Sequence, residues 1–202
     1  MPIVDCLGKR IYFLLVDHAV IATCTSWEFD ALDLEGRVVL DIGAYVGNTA
    51  MLFAVKGAKK VFAVEPDPSF FAIMVENLLL NNLSNVEPIN VAITPKRGFA
   101  RKLPDTSFYG TRFILANDGD VLGMSLSDLL ETYNIEPDFM KINCEGCEEY
   151  ALRDPAVSSF REILVDVHNW SGLKNLAEVL QNFSCRLIKS SDVFSRFHCI
   201  KR

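Results

Sequence analysis

The sequence lacks any apolar run long enough to cross a membrane as a helix. Its longest such run, residues 11–22, is shorter than the ~20 residues that a spanning helix needs, and Asp17 and His18 interrupt it. The run also lacks the small-residue cleavage pattern of a secretory signal peptide. We therefore expect a cytoplasmic protein without a membrane partner.

The sequence also lacks an excess of positive charge. Its formal net charge is -6 and its pI is about 5.1. Such a chain has no broad attraction to phosphate backbones, and no concentrated Lys/Arg stripe changes this, so a nucleic-acid partner is disfavoured. Internal repeats and Pro/Gly/Ser-rich linkers are missing too. The 202 residues therefore predict a single domain overall, with an N-terminal extension (1–35) packed on a core at 36–202.

Cysteine is well represented, and in a cytosolic protein the six residues are expected to be reduced thiols: Cys6, Cys24, Cys144, Cys147, Cys185 and Cys199. Cys144 and Cys147 form a Cys-x-x-Cys pair, but a zinc site needs two more ligands and no second closely spaced pair exists. We expect no metal. Packing as small hydrophobic residues is the favoured reading, and a metal role and a redox role of this pair stay open as alternatives.

From residue 36 onward, strand and helix patterns alternate. Apolar strand patterns occupy residues 38–42, 60–65, 85–93, 138–143 and 161–168, and helical patterns occupy 47–55, 68–82, 125–133, 146–152 and 173–182. This order predicts an α/β fold with a mostly parallel sheet and helices on both faces. Closing strands near 185–189 and 197–201 predict a C-terminal antiparallel hairpin. Residues 96–124 predict hairpin-like excursions, and strand-like pieces occur around 11–16 and 20–25.

In sheets of this kind, ligands bind beyond the carboxyl ends of the strands. Gly43 follows the first strand and allows a tight turn, and Gly47 opens a helix whose free N–H groups face the same place. The spacing differs from the Gly-x-Gly-x-x-Gly of dinucleotide sites, so a ligand without a pyrophosphate fits better. Asp41 would then face a cation, such as the amino group of an amino-acid-like cofactor.

Glu65 ends the second strand, where its carboxylate can accept hydrogen bonds from both hydroxyls of a ribose. Pro66 fixes the turn, and Asp67 is a weaker candidate. Each acid alone could be a helix cap or a solvated charge, but acids after consecutive strands beside a glycine turn favour a cofactor site. The residues assigned to cofactor binding are Asp41, Gly43, Ala44, Tyr45, Gly47, Asn48, Glu65, Pro66, Asp67 and Ala92.

Longer segments carry a more specific resemblance: "LDIGAYVGNTAMLFA", "VFAVEPDPSFFAIMVENLLLNN", "MKINCEGCEEYAL" and "ILVDVH". The glycine turn and its acidic partner resemble the S-adenosylmethionine site of class I methyltransferases. In order and spacing, residues 37–168 look like the FkbM-type family of these enzymes. The resemblance implies a Rossmann-like fold, S-adenosyl-L-methionine as cofactor, and methylation of a hydroxyl oxygen on a sugar or another small molecule. The chain departs from the family at Asn143, usually aspartate, and at Asp166, usually glutamate.

The predicted catalytic residues are Asn143, Glu145 and His168. Strand alternation would place Asn143 and Glu145 on one face at the end of the fourth strand. His168 follows the fifth strand and, like Glu145, is a candidate general base, although a structural histidine is the alternative reading. Glu148 and Glu149 are expected to be solvated charges or first-turn partners of the helix dipole.

Two further functions stay open at this point. Asn143 cannot act as a base, so a catalytically inactive S-adenosylmethionine-binding protein is one alternative. The other is an RNA or protein nitrogen methyltransferase. Many such enzymes carry Asn/Asp-Pro-Pro-aromatic after the fourth strand, whereas this chain has "NCEG". The sequence is compatible with an oligomer and has no readable motif for the acceptor.

Overall fold

The structure, a computed structural model, describes residues 2–104, 111–168 and 176–202. The Cα positions cluster into two units, residues 1–89 and 90–202. In the part of the chain that is described, no helix is both long and apolar enough to span a bilayer.

The first unit begins with an antiparallel hairpin, β1 (Ile3–Cys6) and β2 (Lys9–Tyr12), and two short helices, α1 (His18–Cys24) and α2 (Trp27–Asp30). The strand predicted around residues 20–25 is wrong. Asp17 stabilises a helix there, because its carboxylate accepts a hydrogen bond from the Val20 N–H at 3.0 Å. The hydroxyls of Thr23 and Thr25 donate to carbonyls four residues earlier, so both β-branched residues fit the helix.

Three parallel strands form the centre of the first unit: β3 (Val38–Ile42), β4 (Lys60–Val64) and β5 (Val86–Ile89). Between them run α3 (Asn48–Val55) and α4 (Pro68–Leu80). Strands β3 and β4 are buried beyond their first residue, as the continuous apolar runs predict. Asp67 caps α4 through the N–H groups of Ser69 and Phe70, and Pro68 takes the first helical position.

Two side-chain amides bind the N-terminal segment: Asn77 in α4 and Asn81 directly after its end. Asn81 accepts from the Tyr12 N–H at 2.9 Å, and Asn77 accepts from the Leu14 N–H at 2.8 Å. The fully buried Asn77 also donates to the Val46 carbonyl at 2.8 Å. The Asn77 side chain thus connects Leu14 with the loop between β3 and α3.

The second unit contains a four-stranded sheet made of β6 (Ala92–Ile93), β7 (Gly98–Lys102), β8 (Phe113–Leu115) and β9 (Val121–Met124), in the order β6-β9-β7-β8. The hairpin-like excursion predicted for residues 96–124 accounts for β7, β8 and β9. The single strand predicted at 85–93 is wrong in its extent, because the chain interrupts it after Ile89 and resumes at Ala92.

The rest of the second unit comprises α5 (Leu126–Thr132), β10 (Phe139–Ile142), α6 (Glu148–Arg153), a 3-10 helix (Pro155–Ser159), β11 (Glu162–His168), α7 (Leu176–Val179), β12 (Phe183–Ser190) and β13 (Phe194–Lys201). Strands β10 and β11 are parallel, whereas β13 is antiparallel to both β11 and β12. The predicted α/β fold with a C-terminal antiparallel hairpin is therefore confirmed. Of the helix predicted at 173–182, residues 173–175 lie outside the described residues.

The six cysteines form three disulfides, so the prediction of reduced thiols is wrong. The pairs are Cys6–Cys24, Cys144–Cys147 and Cys185–Cys199. The first joins the ends of β1 and α1, and the last joins residues directly opposite each other in the β12–β13 hairpin. The spacing of Cys144 and Cys147 is visible in the sequence, whereas the partners of the other two pairs are 18 and 14 residues apart and are brought together by the fold. Because disulfides persist mainly in oxidising compartments, the cytoplasmic location stays a prediction.

Candidate functional site

In the loop after β3, every second residue from Gly43 to Gly47 has a left-handed backbone conformation. Gly43, Tyr45 and Gly47 have φ values of 77°, 54° and 86°. A side chain at Gly47 would be strained by its φ, and a Cβ there would lie 3.0 Å from the Met74 Cγ. The glycine spacing therefore serves a tight loop that packs closely on α4.

Glu65, the first residue after β4, holds this loop in place. One carboxylate oxygen accepts from the Tyr45 N–H at 2.8 Å, and the other accepts from the Asp67 N–H at 2.8 Å. Glu65 is 6% exposed, so the prediction of a merely solvated acid is excluded. A carboxylate has about four acceptor positions, so it is a group that can bind both hydroxyls of a ribose. The residues present therefore fit the nucleoside part of S-adenosylmethionine.

Tyr45 connects the loop to the N-terminal segment, a link that the sequence did not reveal. Its hydroxyl donates to Asp17 at 2.8 Å, and its ring packs edge-on against Phe70 with centroids 4.4 Å apart. Burial raises the pKa of the Tyr45 hydroxyl, and its hydrogen bond to Asp17 and the negative charges of Asp17 and Glu65 raise it further. Tyr45 is consequently a neutral donor at physiological pH. An aromatic residue inside a glycine loop was the only available sign of this role.

Asp41 and Asn48 are buried beside the loop. Asp41 is fully buried and accepts from the Thr49 hydroxyl at 2.5 Å, and the Asn48 amide donates to the Thr23 hydroxyl at 2.7 Å. These bonds fix the start of α3. A contact of Asp41 with the amino group of a cofactor stays a prediction.

The other predicted cofactor residues are placed by backbone contacts. The N–H groups of Gly43 and Ala44 both donate to the Val64 carbonyl at 3.0 Å, which joins the loop to the end of β4. Pro66 stands between Glu65 and the α4 cap. Ala92 belongs to the second unit, where it pairs with Gly123 of β9 and is 1% exposed.

The second unit contains a separate polar cluster around His168. Its ring Nε2 lies 3.2 Å from Glu145, and its ring Nδ1 lies 3.0 Å from Glu148. The backbone N–H of His168 also donates to Glu148 at 2.8 Å. His168 is 3% exposed and Glu148 is fully buried, so the imidazole is held between two carboxylates away from bulk water.

This arrangement decides the protonation state of the histidine. Burial by itself lowers the pKa of His168, but hydrogen bonds to Glu145 and Glu148 and their negative charges outweigh burial and raise the pKa to about 9. Near pH 7 the ring is therefore an imidazolium that donates from both nitrogens.

The turn between β10 and α6 departs from the predicted strand alternation. Strand β10 ends at Ile142, and Asn143 follows it half-buried. Glu145 has a φ of 57° and Gly146 a φ of 118°, so Glu145 reaches His168 from a left-handed turn, not from an extended strand.

Two acidic residues, Glu148 and Asp166, form contacts that the sequence did not predict. Of the two alternatives for Glu148, the solvated charge is wrong, because the residue is fully buried. Glu148 lies in the first turn of α6, the other alternative, and also accepts from the Gly146 N–H at 2.7 Å. Asp166, where the family usually has glutamate, forms a two-pronged ion pair with Arg196 at 2.6 and 2.7 Å.

Within the described residues, no group of three or more His, Cys, Asp or Glu side chains is arranged to hold a metal ion.

The fold is that of class I methyltransferases, and solved structures of methyltransferases match the chain. The 16S rRNA N2 G1207 methyltransferase of Thermus thermophilus, solved with AdoMet and guanosine, matches with a TM-score of 0.61 and 17% identity over 99% of this chain and 50% of that chain. Methyltransferase FkbM from Methylobacillus flagellatus matches with a TM-score of 0.58 and 14% identity over 84% of this chain and 45% of that chain. These similarities establish the fold.

The methyltransferase FkbM domain family matches residues 41–185, more than half of the chain, and the chain belongs to that family. The predicted family is therefore confirmed. A ribosomal protein L11 methyltransferase from Methylococcus capsulatus is 40% identical over 83 residues, which are 41% of this chain and 28% of that protein. An uncharacterized protein of Methanocaldococcus jannaschii, MJ1452, is 38% identical over 78 residues, or 39% of this chain and 29% of that protein. The chain thus spans less than a third of these relatives.

Proposed function

We propose that this chain transfers a methyl group from S-adenosylmethionine to the oxygen of a hydroxyl group on a sugar or another small molecule. The observation that carries the proposal is the Glu65 carboxylate, held at the end of β4 by two backbone N–H groups, in a chain of the FkbM family. The cofactor supplies a methyl group already activated by its sulfonium. The protein then has to bind, orient and deprotonate, and alignment alone can lower a barrier by about 7–11 kcal/mol.

Residues of the first unit would bind the cofactor. Glu65 would accept hydrogen bonds from the ribose hydroxyls, and Gly43 and Gly47 would let the ligand approach the backbone closely. Asp41 is the candidate for the amino group, as predicted. Tyr45 would keep the loop closed through its bonds to Glu65 and Asp17.

Residues of the second unit would act on the acceptor. Because His168 is an imidazolium near pH 7, we assign the proton acceptor to Glu145, and His168 positions that carboxylate from 3.2 Å. Asn143 can donate and accept hydrogen bonds, so it would orient the acceptor hydroxyl without taking its proton. An asparagine at this position is therefore compatible with methylation of an oxygen.

A macromolecular acceptor is the second candidate, favoured by the relatives named as ribosomal protein L11 methyltransferases. Against it stands the "NCEG" turn, which lacks the prolines typical of amine methylation. An S-adenosylmethionine-binding protein without activity is the remaining alternative. All three can be separated by following the methyl group.

The test offers the purified protein S-adenosylmethionine labelled in its methyl group, together with sugars and glycosides, ribosomal protein L11, and ribosomal RNA. We expect label in a small molecule as a methyl ether. Glu145→Gln should slow transfer by about 10²–10⁴, the range for general base catalysis. Glu149→Gln, on the helix surface beside Arg153, is the matched control and should retain the rate. Label on a nitrogen of L11 or RNA, or binding without any product, would contradict the proposal.

A further inference from the structure

The Cys144–Cys147 disulfide encloses the turn that carries Glu145. The bond closes a ring around Glu145 and Gly146, the two residues with positive φ between β10 and α6. Glu145 is the residue that contacts the His168 ring nitrogen. Whatever opens or closes this ring therefore changes the conformational freedom of Glu145 directly.

This disulfide differs from the other two in its accessibility. Cys144 and Cys147 are both partly exposed. By contrast, Cys6 and Cys199 are 0% exposed and Cys24 is 2% exposed, so each remaining pair has at least one buried cysteine. Thiol–disulfide exchange requires a thiolate to reach a sulfur atom along the S–S axis, so access selects which bond exchanges.

A buried carboxylate lies against this disulfide. The Cys144 sulfur is 3.6 Å from Glu148, whose same oxygen accepts from the Gly146 N–H at 2.7 Å. The other Glu148 oxygen binds His168. Glu148 thus contacts the disulfide, the turn and the histidine together, and a reduced Cys144 thiol would find a hydrogen-bond acceptor already in place.

We propose that Cys144 and Cys147 form an exchangeable dithiol–disulfide site that accepts two electrons from a dithiol, and that its redox state sets the position of Glu145 against His168. The exchange itself does not depend on methyl transfer. The effect of this exchange on catalysis rests on the proposed function, in which Glu145 takes the proton of the acceptor hydroxyl.

The exchange balances as two successive thiolate attacks. A thiolate of the external dithiol attacks the Cys144 sulfur, the Cys144–Cys147 bond breaks, and Cys147 leaves as a thiolate, because the carboxylate of Glu148 disfavours negative charge at Cys144. The second thiol of the reductant then attacks its own sulfur in the mixed disulfide and releases Cys144. The reductant ends as a cyclic disulfide, and its two protons end on Cys144 and Cys147.

The first experiment measures which cysteines exchange. The folded protein is equilibrated with mixtures of reduced and oxidised dithiothreitol, quenched with N-ethylmaleimide, and analysed by peptide mass spectrometry. We expect Cys144 and Cys147 to be labelled together at a reduced-to-oxidised ratio about tenfold lower than the other four require, because exposed disulfides have higher reduction potentials than buried ones. Labelling of all six at one ratio, labelling of Cys144 and Cys147 last, or free thiols at both positions in air-oxidised protein would overturn the proposal.

The second experiment measures whether the bond positions the Glu145–His168 pair. The ring ¹H–¹⁵N signals of His168 are recorded by NMR with and without dithiothreitol. A shift is expected in the wild-type protein and in the Cys6→Ser/Cys24→Ser control, and no shift in Cys144→Ser/Cys147→Ser. An unchanged His168 signal on reduction would refute the positioning role. Neither readout uses methyl transfer, so failure of the proposed function, seen as absent S-adenosylmethionine binding by calorimetry, is a distinguishable result.

Discussion

At the scale of single residues, the buried carboxylates around His168 determine its protonation state. An imidazole at the end of a strand reads as a general base in the sequence, because its ordinary pKa lies near neutrality. Two carboxylates within 3.2 Å raise its pKa to about 9, so the ring is a cation near pH 7, and we propose that it positions Glu145. The sequence offers Glu145 as a candidate, but Glu148 looks like any acidic first-turn residue.

The raised pKa of His168 predicts a pH dependence of stability. The folded-state pKa of about 9 lies above the ordinary value of 6.5, so the folded protein binds this proton more tightly than the unfolded chain. The stabilisation is fully present below about pH 6.5 and is lost as the pH rises through about 9, and it amounts to about 3 kcal/mol.

Urea unfolding of the wild-type protein and of His168→Gln at about pH 6.5 and about pH 9.5 checks this prediction. The difference in unfolding free energy between the two proteins should shrink at the higher pH. His18→Gln, at an exposed position, is the control and should follow the wild type at both pH values. A difference that stays constant or grows with pH would show that His168 is not held as an imidazolium.

At the scale of elements, the sequence predicts what depends on local pattern. The strands β3, β4, β10 and β11 and the helices α3 and α4 lie within two residues of their predicted ends, because continuous apolar runs, Pro68 and the Gly43 turn mark them. Helix α1 was missed because its signal is a single cap, Asp17, before a β-branched segment typical of a strand. The disulfides were not predicted for another reason. The expected cytosolic location implied reduced thiols even for Cys144 and Cys147, which are 3 residues apart, and the partners of the other two pairs lie 18 and 14 residues apart.

Asp17 accepts two hydrogen bonds, one from the Val20 N–H and one from the Tyr45 hydroxyl. Substitutions that remove or keep these acceptors should lower the unfolding free energy to different extents. Asp17→Ala removes both the cap of α1 and the acceptor of the Tyr45 hydroxyl, and it should lower the unfolding free energy by about 2 kcal/mol. Asp17→Asn keeps a capping oxygen and should cost about 1 kcal/mol or less. Thermal or urea unfolding of both variants measures this. Equal losses for the two variants would mean that capping does not stabilise α1.

At the scale of the whole molecule, the predicted cofactor-binding residues and the predicted catalytic residues lie in different parts of the sequence. All residues predicted to bind the cofactor except Ala92 lie in residues 1–89, whereas the predicted catalytic residues Asn143, Glu145 and His168 lie in residues 90–202. The glycine turn and Glu65 could be predicted because their backbone and charge requirements are local. The contacts of Asp17 with Tyr45 and of Glu148 with His168 could not, since they join residues 28 and 20 positions apart.

We propose that Glu65 holds S-adenosylmethionine, and this role is measured by calorimetry as the affinity of the protein for the cofactor. Glu65→Gln removes the charge and one of the two backbone acceptors, and hydrogen bonds to charged groups contribute about 1.5–3 kcal/mol, so affinity should fall about tenfold or more. Glu87→Gln is the matched control and should bind like the wild type, because Glu87 on β5 forms only a half-exposed ion pair with Lys60 on β4. Unchanged affinity in Glu65→Gln, or no binding by the wild-type protein, would contradict the account.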